Sequence, residues 1–165
     1  MSEQLKAWLR HAELVLLIGV GNQTRGDDAA GTVVAELMEV HRSRKFEVMN
    51  VGEALGKLLP GAIYRRPSHI LIVDATVMGQ SPGSVRLIPV DEMDVAHFSS
   101  THDLPVSVAI RLVTRETGAK ALAIGIQPHV VSVGSRMSEP VRVSCEAVTE
   151  MLKDCLTAAE LLGHE

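Results

Sequence analysis

Leu14-Val-Leu-Leu-Ile-Gly-Val20 is an unbroken apolar run that stops at a glycine-containing loop. His69-Ile-Leu-Ile-Val-Asp-Ala75 is a second such run, and it stops at a carboxylate. Neither alternates, so each reads as a strand buried on both faces, the signature of a parallel sheet covered by helices. The segments around them fit that reading. Asp27–Val40 has helical spacing through Ala30, Val33, Val34, Leu37 and Met38, and Phe46–Val51 is a further strand. Glu53–Arg66 is helical, with Pro60-Gly61 expected to shorten or break it. Ser81-Pro82-Gly83 makes a turn into the strand Val85–Val90, and so short a link predicts an antiparallel neighbour. Asp103-Leu104-Pro105 opens a helix to about Thr117, Ala121–Gln127 is the fifth strand, and Ser138-Glu139-Pro140 starts a long terminal helix. Alternating strands and helices specify an α/β fold: a three-layer α/β/α sandwich around a mostly parallel, roughly five-stranded twisted sheet. Residues 1–165 form one domain, with 1–13 as an additional N-terminal helix carrying Leu5, Trp8, Leu9 and Ala12 on one face.

Hydrophobic residues make up 46% of the chain, enough for a packed core, and the scarcity of aromatics makes that core aliphatic. The formal charge of −4, without a basic face, excludes nucleic acid as a partner. Nothing approaches the roughly 20 uninterrupted apolar residues that span a bilayer, and the N-terminus lacks a signal-peptide pattern. Cys145 and Cys155 lie ten apart on one helix, roughly 15 Å, beyond disulfide reach. They read as small buried hydrophobes in a reducing compartment, so the expected location is the cytoplasm.

Ligands of such sheets sit beyond the carboxyl ends of the strands, where the strand order reverses. Gly19-Val20-Gly21 first suggests a dinucleotide loop, but position 24 is threonine and no acidic residue ends the second strand. A nucleotide-binding α/β protein is therefore a remote alternative. Asp27-Asp28 opens the following helix; one carboxylate suffices as a cap, leaving the other for the crevice. Asp74 closes its apolar strand at the same edge, and a buried carboxylate demands a partner. His102 lies in the polar loop Ser99–Asp103. Asp28, Asp74 and His102 together supply two oxygens and one nitrogen from three loops, a set suited to a divalent transition metal with open positions. No serine stands in a GxSxG elbow and neither cysteine lies in a loop, so a protein nucleophile is not indicated.

These residues carry a resemblance. Gly19-Val-Gly-Asn22 and Gly26-Asp27-Asp28 with Gly31 resemble the N-terminal signature of the [NiFe]-hydrogenase maturation endopeptidases. Leu71-Ile-Val-Asp74-Ala-Thr, Met78-Gly79, Ser81-Pro-Gly83, Ser100-Thr-His102 and Gly125-Ile-Gln-Pro128 follow in that family's order. The nearest branch processes the large subunit of hydrogenase 3, of the formate-hydrogenlyase type. The resemblance implies a single cut that removes the C-terminal extension of a [NiFe]-hydrogenase large-subunit precursor after nickel insertion. It also implies that Asp28, Asp74 and His102 contact nickel carried by the substrate, any metal on the isolated protein being an adventitious divalent ion. Asp27 is left as a cap, and Ala29 stands where many relatives have glycine. A non-cleaving nickel-dependent chaperone for the same precursor would carry the same site, so only product formation separates the two.

Overall fold

A computed structural model describes residues 1–52, 55–93, 97–98 and 105–163. The chain runs α1 (Ser2–Trp8), β1 (Val15–Val20), a 3-10 turn at Gly26–Ala29, α2 (Ala30–Met38), β2 (Phe46–Gly52), α3 (Leu55–Arg65) and β3 (His69–Val77). It continues through β4 (Val85–Pro89), β5 (His97–Phe98), α4 (Val106–Thr117), β6 (Lys120–Ile126) and α5 (Glu139–Ala158). The main sheet has the order β2-β1-β3-β6-β4, with the short β5 paired to the end of β3. β1 is parallel to β2 and β3, and β3 to β6, whereas β4 is antiparallel.

Strand periodicity builds the three layers. Val15 and Leu17 of β1, with Leu71, Val73 and Ala75 of β3, pack against α1, α2 and α5. Their alternates Leu16, Ile18, Val20, Ile70 and Ile72 pack against α3 and α4. Every residue of β1 is buried, as an unbroken apolar run requires. On α5, Val141, Cys145, Val148, Leu152 and Cys155 recur at helical spacing and form the stripe that closes one face. Both cysteines are free and buried, and burial pushes the Cys145 thiol up to about 12, helped by the charges of Asp27 and Glu146. Leu5 and Leu9 anchor the N-terminal helix in the core formed with α5.

Two expectations change in detail and a third is met. The helix after the first loop begins as a 3-10 turn, so α2 proper starts only at Ala30. α3 runs through Pro60 without a break. The proline is exposed and removes one i→i−4 bond in the middle of the helix, a local loss that the packing of α3 outweighs. β4 has the antiparallel neighbour expected of it, which is β6, because residues 78–84 carry the chain past the position of β6 to the sheet edge. Among the described residues no helix is long and apolar enough to cross a membrane.

Candidate functional site

The strand order reverses between β1 and β3: β1 leads to β2 on one side, and β3 leads to β6 on the other. The two strands are in register from Val15 opposite His69 to Gly19 opposite Val73, so Asp74 emerges at the top of the switch point. Glycines bring α2 down onto this edge. A Cβ on Gly31 would stand 2.0 Å from the Val73 carbonyl and 2.3 Å from that of Val20. Gly21, at φ 137°, has the Asp28 carbonyl 1.8 Å from where its Cβ would be. Gly19, whose Cβ would stand 2.5 Å from the Gly31 carbonyl, and Gly21, which first suggest a dinucleotide loop, thus serve the packing of helix on sheet.

That close packing places the Asp27-Asp28 pair, and the two carboxylates part company. Asp27 is fully buried. Its Oδ2 accepts the His129 N–H at 2.8 Å, the Val130 N–H at 2.9 Å and the Ser138 hydroxyl at 2.8 Å. Its Oδ1 accepts the Ser138 N–H at 2.6 Å. Burial alone would raise its pKa, but these bonds outweigh burial and hold the carboxyl below its ordinary value. Asp27 was expected to cap its own helix. Instead it ties the 129–138 loop and the start of α5 to the glycine loop, a long-range role that spacing cannot reveal. The same seam is closed by the Asp27 N–H to the Val130 carbonyl at 2.7 Å and the Gly134 N–H to the Thr24 carbonyl at 2.8 Å.

Asp28 is 3% exposed and accepts the Asn22 N–H on Oδ2 at 3.2 Å. Asp74 is 2% exposed, and its Oδ2 has no hydrogen-bond partner among the described residues. Burial pushes the Asp74 carboxyl well above the usual carboxylate range. The neighbouring charge of Asp28 pushes the same way, and the Ala75 N–H offsets it in part. Neither carboxylate forms an ion pair with a lysine, arginine or histidine among the described residues. Two buried like charges side by side call for a proton or a cation between them. The structure therefore brings together two of the three residues singled out from the sequence. His102 lies outside the described residues.

Gln127 was not singled out as a site residue. Its Oε1 accepts the N–H groups of Met78 at 2.7 Å and Gln80 at 3.2 Å, and its Nε2 donates to the Pro128 carbonyl at 3.1 Å. It fixes the loop that follows β3, and hence the rim beyond Asp74. The signal available for it was a polar residue directly after an apolar strand. His69 is buried at the opposite end of β3. It lies beside Ser68, with its ring 4.7 Å from that of Trp8.

The sequence model that describes hydrogenase maturation proteases matches residues 32–155. The chain is a member of the hydrogenase maturation proteases. The protease is 32% identical over 138 residues to the hydrogenase 3 maturation protease of Escherichia coli K12, a match that spans 84% of this chain and 88% of that one. Its structure resembles the crystal structure of a [NiFe] hydrogenase maturation protease from Thermococcus kodakarensis KOD1, with a TM-score of 0.82 at 26% identity. That alignment covers 93% of the protease and 99% of its relative. The solution structure of the Escherichia coli endopeptidase HycI aligns with a TM-score of 0.74 at 31% identity, over 83% of the protease and 87% of that chain. The protease is thus a peptide-bond hydrolase of hydrogenase maturation, and its matched span includes Asp74.

Proposed function

We propose that this endopeptidase acts in the cytoplasm on a [NiFe]-hydrogenase large-subunit precursor, removes its C-terminal extension after nickel insertion, and recognises the nickel the precursor carries. The observation that supports this is the Asp74 carboxylate: nine-tenths and more buried, one oxygen without a hydrogen-bond partner among the described residues, and Asp28 beside it. Such a pair is unfavourable when it stands empty and ionised, and becomes favourable when a cation arrives. Asp28 and Asp74, with His102 as third member, would complete the coordination of a nickel ion whose remaining ligands come from the substrate.

Nickel so placed supplies Lewis acidity at the scissile carbonyl or at a water. The protease's own residues do the rest. Burial and the neighbouring Asp28 charge favour the protonated form of Asp74, and a bound metal ion would favour its ionised form. The Asn22 N–H holds one Asp28 oxygen in place, so the second remains to meet the ion or take a proton from the attacking water. The Asp27 clamp keeps the glycine loop, and with it Asp28, from moving. A nickel-free precursor offers nothing to neutralise the pair, so the cut doubles as a checkpoint on metal insertion.

Intact-mass spectrometry of a purified nickel-loaded precursor incubated with the protease tests the reading. Loss of one discrete C-terminal peptide is expected. A stable complex without shortening would instead make the protein a nickel-dependent chaperone.

A further inference from the structure

A cavity of about 510 Å³ opens beyond the ends of β1 and β2, against the glycine loop that holds Asp28. One wall is the glycine loop at Asn22 and Thr24, the facing wall is the end of β2 at Asn50 and Gly52, and the third is α2 at Thr32 and Glu36. Asn22 belongs to both places: it lines the cavity, and its N–H is the donor that holds Asp28 at 3.2 Å. Whatever occupies the cavity therefore lies next to the candidate site.

The lining is suited to polypeptide. The Asn22 and Asn50 carboxamides offer donors and acceptors of the kind a peptide main chain needs. β2 is an edge strand, hydrogen-bonded to β1 on one side, so an extended segment can leave the carboxylates along this margin. The charge is one-sided. Among the described residues Glu36 is the single ionisable member of the lining, with no lysine, arginine or histidine beside it. Its carboxylate accepts a hydrogen bond from the neutral Gln23 amide and belongs to no ion pair among the described residues. The charge on this exposed wall is left for a ligand.

We infer that this cavity is the subsite for the precursor segment flanking the scissile bond, and that Glu36 selects a basic side chain there. This rests on the endopeptidase reading given above. Glu36 is a specificity determinant and takes no part in bond breaking, so it acts on KM and leaves kcat alone. An exposed carboxylate attracts a cation modestly, and reversing its sign doubles the change.

The test is steady-state processing of a nickel-loaded precursor by wild type, Glu36→Gln and Glu36→Lys, after the scissile bond has been mapped by mass spectrometry. Each basic residue within a few positions of that bond is then changed to glutamate in the precursor. Glu36→Lys should raise KM about fivefold or more with kcat within about twofold, Glu36→Gln should do less, and high salt should shrink the difference. One glutamate-bearing precursor should be a poor substrate for the wild type and a better one for Glu36→Lys. Equal KM values for wild type and Glu36→Lys, both shown folded by thermal unfolding, would overturn the subsite while leaving the endopeptidase reading standing. A wild type that never shortens the precursor would overturn both.

Discussion

Replacing Asp27 by asparagine keeps the size of the side chain and removes its charge. In the better of its two amide orientations, the asparagine oxygen takes over the three bonds from His129, Val130 and Ser138 Oγ. The NH2 group then faces the Ser138 N–H, which had stood 2.6 Å from a carboxylate oxygen, so two donors oppose each other. A buried donor without an acceptor costs about 1–3 kcal/mol, and three bonds that lose charge assistance weaken by roughly 1 kcal/mol each. Relief from burying the carboxylate returns part of this, leaving a net loss of about 3–5 kcal/mol. For a domain of this size that lowers Tm by about 6–20 °C. The loss should depend on pH with a definite sign. Because the folded-state pKa of Asp27 is depressed, its contribution is fully present above the unfolded value of about 3.9 and fades as pH falls through the lower folded value. Urea titrations followed by circular dichroism at pH 7, 5 and 3 should show a wide gap between variant and wild type that closes in acid. A loss below about 1 kcal/mol at pH 7, or a gap that widens in acid, would refute the clamp.

Asp74→Asn should do the reverse to stability while abolishing processing. A carboxyl with a raised folded-state pKa costs the fold about 1.4 kcal/mol for each pH unit between its unfolded and folded values, and asparagine escapes that slope. The variant should gain on wild type as pH rises above about 4, measured by denaturant midpoints. Gly31→Ala drives a methyl into two sheet carbonyls and should fail to fold or lose several kcal/mol. Gly56→Ala, with nothing within 4 Å, should gain about 0.5–1 kcal/mol. Gln127→Ala strands the Met78 N–H and should lower stability by about 1–3 kcal/mol, with the loop after β3 exchanging amide hydrogens faster.

Much of the fold was legible because its strands are buried on both faces. Runs such as Leu14–Val20 and Ile70–Val73 leave little freedom in secondary structure or layer, and the Ser138-Glu139-Pro140 start of α5 is a local signal. The place of Asp74 at the sheet's carboxyl edge was legible because it closes an unbroken apolar run. Asp27 was not, since its partners lie more than a hundred residues away and no local pattern encodes them. Pro60 misled for a related reason: propensity counts the lost hydrogen bond and does not see the packing of α3 on the sheet. The antiparallel direction of β4 was legible from its short link, because link length constrains direction more tightly than it constrains the choice of neighbour, β6.

The central claim is that buried carboxylates at the β1–β3 switch point read nickel in the substrate. It is tested most directly by processing one precursor in nickel-loaded and nickel-free form, by mass spectrometry, with wild type, Asp28→Ala and Asp74→Ala. Shortening of the loaded form alone, by the wild type alone, with both variants folded, is the predicted result. Equal cleavage of the nickel-free precursor, or full activity in Asp74→Ala, would contradict it.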